Sequence, residues 1–292
     1  MIFKMIKSNC SINKLYGDDK MKIIDAHIHY RPGYEPFSAV AESSGHKNTS
    51  EHLKHEFEKN NIVHAIVMGN LSPELENHIY PEYMSYCFGL DSSCFKNPTE
   101  PPEYFISLAE EHLKRENCTG IKLYPGYCPM YLSDKQYEPF YELAEKHNKT
   151  VAIHTGALSR GDALLKYSHP LTIDEIAVKY PKVQFVMCHF GNPFLSEAAA
   201  VAEKNKNVAV DISGIVEGDF DIESCFEQYH GFIEILKSWL YYFGDYSRIM
   251  YGSDWPIVNI GKYIEFIKRI VPEKYHENVF FKNAVNIYNL KL

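Results

Sequence analysis

The stretch Ile23-Ile24-Asp25-Ala26-His27-Ile28-His29-Tyr30 decides how the chain is read. Its apolar character predicts a strand, and on a strand residues two apart share a face. His27 and His29 therefore stand side by side and can grip one ion together. Two ligands do not hold a catalytic divalent metal, so the others must come from positions distant in sequence and near in space. Residues 1–20, ahead of this strand, mix Ile and Phe with Lys, Asn and Asp and lack the apolar run of a signal peptide. They read as an N-terminal extension, loosely docked or disordered, and residues 21–292 as one domain.

Outward from that strand, apolar runs alternate with amphipathic segments. Strands are expected at 62–69, 85–90, 119–124, 150–156, 183–191, 208–214 and 248–254. The helices between them carry start signals: Ser50 as a cap, Pro101-Pro102 as an entry, Ser133 with Gln136 and Thr172 with Glu175 as capping boxes. A further helical region spans 223–243. Polar residues near strand ends are spaced by 32 residues from Lys122 to His154 and 35 from His154 to His189, near the ~31 per unit of a ~250-residue barrel. Eight such units predict an α/β fold, a single (β/α)8 TIM barrel. An open doubly wound sheet would call for a Gly-rich phosphate turn where the chain has His29-Tyr30-Arg31-Pro32.

The 292 residues, 45% of them hydrophobic, suffice for a large core. A net charge of −8 without long like-charge runs argues against nucleic acid as a partner and leaves small molecules. No apolar run approaches the ~20 residues of a membrane span. The seven cysteines are scattered without a Cys-x-x-Cys pair, which argues against a disulfide framework and fits a reducing, cytoplasmic setting.

In such a barrel, chemistry sits at the C-terminal mouth and draws on the ends of several strands. Those ends carry His27 and His29, Lys122, His154, His189 and Asp254. Ionisable groups among Ile, Val, Met and Phe are costly unless paired or bound to metal. Three imidazoles and a carboxylate suit Zn²⁺ first, with Fe²⁺ or Mn²⁺ acceptable. A metal there lowers the pKa of bound water to ~7 and polarises a carbonyl, supplying a nucleophile to a chain without a serine or cysteine elbow. A fourth imidazole is then left as a base or oxyanion donor. Arg31 and Arg160 are candidates to fork a substrate carboxylate, and Tyr30, Tyr124 and Trp255 to line an aromatic mouth. Asp211, Ser213 and Asp25 are expected to be structural, His64 to lie in the core, and His52, His55, His112, His147 and His276 to be solvated on or beside helices.

Six motifs, Asp25-Ala26-His27-Ile28-His29, Gly120-Ile121-Lys122-Leu123, Ile153-His154-Thr155-Gly156, Cys188-His189-Phe190-Gly191, Tyr251-Gly252-Ser253-Asp254-Trp255-Pro256 and Asn283-Ala284-Val285-Asn286-Ile287-Tyr288, together resemble the amidohydrolase superfamily. The likeness is to its amidohydrolase-related branch of lactonases and decarboxylases. It implies metal ligation by His27, His29, His154 and Asp254, with Asp254 also a base and His189 touching substrate or water. It implies a small substrate bearing a carboxylate, and suggests a homo-oligomer. Lys122 is implied as a hydrogen-bond donor or counter-ion to substrate. A carboxylated Lys122 bridging a second metal is the alternative, so one Zn²⁺ is the default. Where relatives have His-Pro, this chain has Tyr124-Pro125. The expected activity is hydrolysis of a small ester, lactone or amide. Decarboxylation of an unsaturated or aromatic acid, and a non-catalytic metal-binding module, are the alternatives. A histidinol-phosphatase-like barrel shares the His-x-His start but not the Gly252-to-Pro256 ending.

Overall fold

The apolar runs pair in chain order into one parallel sheet: β1 (Ile23–Ile28), β2 (Ile62–Met68), β3 (Met84–Leu90), β4 (Cys118–Leu123), β5 (Thr150–Ile153), β6 (Phe185–Met187), β7 (Val208–Asp211) and β8 (Ile249–Met250). This computed structural model describes residues 21–69, 72–95 and 100–292. The expected extension, 1–20, lies outside the described residues. β8 returns to β1 through the backbone bonds Ala26 N–H to Tyr251 O (3.0 Å), Asp254 N–H to His27 O (2.8 Å) and His29 N–H to Trp255 O (2.8 Å). These complete the (β/α)8 barrel.

Strand periodicity sorts the core into two layers. Ile24, Ala26, Ile66, Met68, Cys87, Ala152, Val186, Cys188, Ala209 and Met250 fill the barrel, plugged at one end by Ala284, Ile287 and Tyr288. Their neighbours Ile23, Ala65, Val67, Tyr86 and Ile121 face the helices. β1 breaks the alternation. Ile24 and Ala26 point inward, Ile28 points to the helices, and the β1–β2 register shifts between Asp25 and Ile28. Such a shift re-aims side chains, and here it turns His27 and His29 toward the barrel axis at its mouth.

The helices occupy the expected intervals, but several starts differ. Thr49, not Ser50, caps the helix Ser50–Asn60, its hydroxyl accepting from His52 N–H at 3.2 Å. The helix Glu138–His147 begins after Ser133, because Asp134 closes a turn by accepting the Gln136 N–H. Thr172 lies within the helix Leu171–Lys179, where its hydroxyl donates to the His169 carbonyl. The expected 223–243 region is two helices, Ile222–Gln228 and His230–Phe243. Among the described residues no helix is long and apolar enough to cross a membrane.

Candidate metal centre

Each imidazole of the His27/His29 pair is fixed by the nitrogen that faces away from the mouth. His27 Nδ1 lies 3.0 Å from Asp211 Oδ2, and a carboxylate can only accept, so Nδ1 carries the proton and Nε2 a lone pair. His29 Nδ1 lies 3.2 Å from the Met68 carbonyl and is fixed in the same way. Both Nε2 atoms then face Asp254 Oδ1, at 3.4 Å from His27 and 3.3 Å from His29. His27 Nε2 and Asp254 Oδ1 are buried and have no hydrogen-bond partner.

Electrostatics sharpen this convergence. Burial pushes the His27 imidazole down to about 4; Lys122 adds to the shift, and Asp211 and Asp254 oppose it. Burial opposes ionisation of Asp254, yet His27, His189 and His29 hold its carboxyl well below the usual range. Three acceptors thus meet with no donor, an arrangement that an intervening cation stabilises. His27, His29 and Asp254 have the residue types and spacing to hold a divalent metal.

His189 and Asp254 share a second feature. Both have φ near +61°, a left-handed conformation unusual for side chains of their size. Gly214, also at positive φ (+58°), gives Asp254 room, since a Cβ there would lie 3.0 Å from Asp254 Oδ2. At Gly252 a Cβ would come within 2.7 Å of His27 Cβ, so only glycine lets β8 approach the first histidine.

His154 stands next to His189 instead of among the three. Its Nε2 lies 2.9 Å from the Ala157 carbonyl, which leaves Nδ1 as the acceptor, 3.2 Å from His189 Nε2. Burial, then His189 and Lys122, hold its imidazole well below the ordinary value. Asp211 and Ser213 do more than brace the barrel. Asp211 accepts from His27 Nδ1, from the His189 N–H at 2.9 Å and from the Ser213 hydroxyl, and Ser213 Oγ lies 2.9 Å from His189 Nδ1. This carboxylate therefore orients both imidazoles, as carboxylates behind metal-binding histidines do. Asp25 accepts the Ser253 N–H at 2.8 Å, tying β1 to β8, and burial raises its carboxyl to about 7.

The other expected substrate contacts divide. Tyr124 lines the mouth, its hydroxyl donating to the Gly69 carbonyl at 2.8 Å. Lys122 is fully buried beneath it, with Nζ 2.9 Å from Cys188 Sγ. Arg160 forks Asp162 at the surface, and Arg31 lies 3.8 Å over the Tyr34 ring; neither lines the cavity. That cavity, of about 610 Å³, is walled by Phe37, Val40, Tyr127, Leu158 and Ile257 around His29, His154, His189 and Asp254. It also contains Glu217, which sequence reasoning missed; its position just beyond the end of β7 was the available signal. A larger cleft at the opposite end of the barrel, lined by His64, Ser85 and Tyr288, lies away from these groups.

One histidine on a helix departs from the expectation. His112, expected to be solvated, is fully buried, with Nδ1 2.8 Å from the Tyr86 hydroxyl and Nε2 2.8 Å from the Pro73 carbonyl.

The sequence profile described as amidohydrolase matches residues 24–290, and the chain belongs to that family. No curated protein matches it. Its fold is similar to an uncharacterised TIM-barrel protein of Bordetella bronchiseptica (TM-score 0.68, 17% identity, 92% of this chain and 98% of that one). It is also similar to a probable 2-pyrone-4,6-dicarboxylic acid hydrolase of Acinetobacter baumannii with citric acid bound (0.62, 16%, 92% and 100%). A third similar structure is 5-carboxyvanillate decarboxylase of Sphingomonas paucimobilis (0.62, 12%, 93% and 100%).

Proposed function

We propose that this protein is a metal-dependent hydrolase of a small ester, lactone or amide, with one divalent cation, zinc by preference, held by His27, His29 and Asp254; His154, expected as a further ligand, has both ring nitrogens engaged by Ala157 and His189 and stands outside the set. The observation that carries this reading is the meeting of His27 Nε2, His29 Nε2 and Asp254 Oδ1 without a donor among them. A cation bound there supplies Lewis acidity toward a substrate oxygen and toward water.

The chain's own residues do the rest. Asp254, ionised and open to the cavity, takes the proton from water that attacks the substrate carbonyl. Its Oδ2 lies 3.8 Å from His189 Nδ1, so His189 is placed to pass a proton toward the leaving group. Asp211 and Ser213 hold His189 and His27 in one orientation, while Phe37, Tyr127 and Leu158 shield the reacting atoms from bulk water. Lys122, directed at Cys188, supports the one-metal reading over a bridging carbamate. The open cavity above the cluster supports a catalyst over a closed structural site.

Decarboxylation is the second reading, supported by the fold shared with 5-carboxyvanillate decarboxylase. It would use the same groups. The test is to assay zinc-loaded protein on lactones, esters and amides beside aromatic and unsaturated acids, in ¹⁸O-labelled water with carbon dioxide monitored. Label in a product acid is the expected result; carbon dioxide release without label overturns hydrolysis. The scattered cysteines, without a Cys-x-x-Cys pair, support a reducing, cytoplasmic setting.

A further inference from the structure

Among the described residues Glu217 is the one carboxylate besides Asp254 that lines the mouth cavity, and it has no task in the chemistry above. It follows β7 by six residues, and its neighbour Gly218 donates its N–H to the Ile257 carbonyl at 2.7 Å, which holds this segment against another residue of the cavity lining. It makes no hydrogen bond or ion pair with any described residue, whereas Asp211, Asp219 and Asp245 on neighbouring segments all have partners. The described residues lining the cavity include no lysine or arginine. Arg31 and Arg160, the expected guanidinium clamps, are committed to Tyr34 and Asp162. The remaining walls are mostly aromatic or apolar, with Thr155, Ser159 and Asn192 as neutral polar groups. A ligand anchored at the imidazole cluster therefore meets, at the solvent-exposed rim of the cavity, one carboxylate without a protein donor.

We propose that Glu217 reads the remote end of the substrate and selects a donor there, an amine before a hydroxyl, against a second carboxylate. This deepens the hydrolase reading, since it takes the mouth over the His27/His29/Asp254 cluster as the substrate site. The class it points to is an ester, lactone or amide that carries an amino or hydroxyl group away from its scissile carbonyl. The dicarboxylate named for the similar Acinetobacter protein is the kind of molecule this mouth disfavours. The physical basis is simple. A carboxylate without a protein donor gains from a cationic or hydroxyl donor and repels an acid, and a flat aromatic body between the two ends rests against Phe37 and Tyr127. Because Glu217 is exposed to the solvent in the mouth, salt weakens the preference.

The test needs no turnover. Calorimetry on zinc-loaded protein at low salt compares 3-(aminomethyl)benzoate, 3-(hydroxymethyl)benzoate and isophthalate, which share one carboxylate and differ only at the remote group. The amine is expected to bind about tenfold or more tighter than isophthalate, with the alcohol between. Glu217→Gln should bring the three within about threefold of one another, and Glu217→Lys should reverse the order. A wild-type preference for isophthalate, a ranking unchanged by Glu217→Gln, or no binding of any of the three overturns the proposal. If the ranking holds while no ester, lactone or amide is hydrolysed, the hydrolase reading fails and the assignment of Glu217 stands.

Discussion

Two sets of histidines pack into this barrel, and their nitrogens are treated differently. Around His112 each ring nitrogen has a partner: the Tyr86 hydroxyl on one side and the Pro73 carbonyl on the other. His78 is similar, with Nε2 near the Ser72 carbonyl and Nδ1 near the Tyr80 hydroxyl. At the mouth, His27 and His29 each spend one nitrogen on an acceptor and turn the other on Asp254, where nothing donates. Burial lowers both His112 and His27 to about 4, so the size of the shift does not separate the sets. Unmatched lone pairs do. A third cluster shows the value of that criterion. His46, His52 and Glu56 lie close enough to hold an ion. His46 Nε2, however, accepts the Ile260 N–H, so its Nδ1 carries the proton and is spent on His52 Nε2 at 3.0 Å. That cluster is a hydrogen-bonded pin, whereas the mouth keeps the unpaired acceptors that a ligand set needs.

The comparison can be broken most sharply at Asp254. Asp254→Asn should abolish stoichiometric zinc uptake and lower kcat/KM by about 10²–10⁴-fold, measured by metal analysis and steady-state assay of an identified substrate. His112→Phe should leave both within about twofold. A variant at Asp254 that keeps its metal and its rate would end the distinction. Next in size is the effect of the metal on stability. Zinc at ~100 times its Kd should stabilise the wild type by about 2.7 kcal/mol in thermal or denaturant unfolding, and should not stabilise Asp254→Asn.

A smaller effect is expected behind the ligands. Asp211→Asn keeps the shape but weakens the hold on His27 Nδ1, so zinc affinity should fall by about 10–100-fold in a chelator competition. Smallest is the structural set. His112→Phe should cost on the order of 1 kcal/mol by unpairing the Tyr86 hydroxyl and the Pro73 carbonyl. The pH dependence has a definite sign. Because the folded protein holds His112 below its ordinary value, near 4 against 6.5, the unfolded chain binds the proton more readily. The stability contributed by neutral His112 is thus complete above about 6.5 and is lost as pH falls toward 4. Unfolding of metal-free wild type and His112→Phe, followed between pH 7 and 4, should show a steeper acid loss in the wild type.

What the chain states locally, it states well. Apolar runs at regular spacing, with helical segments between them, were enough for an eight-stranded parallel barrel, because burial on both faces of a strand demands such runs. Polar residues at strand ends named His27, His29, His154, His189 and Asp254 for the mouth, since an ionisable group there is costly without a partner; Lys122, named with them, is buried beneath it. Caps are less legible. The chain offers Thr49 beside Ser50, and Asp134 captures the turn before Gln136 can serve a helix; only the backbone path chooses between such neighbours.

Tertiary structure decided the rest. The register shift in β1, which turns His27 and His29 inward after Ile24 and Ala26, depends on how β1 pairs with β2 and leaves no mark in the apolar pattern. Asp211 lies 184 residues from His27, and its role in orienting that ring exists only once the barrel closes. Lys122 and His112 were read from their own spacing, yet their settings come from Cys188 and from Tyr86 and Pro73 on other elements. Sequence alone thus determined which chemical groups the mouth could have, because hydrophobic burial is written in local periodicity. Which lone pairs are satisfied, and hence which histidines are free to bind, was decided by the fold, because hydrogen-bond partners are chosen by proximity in space.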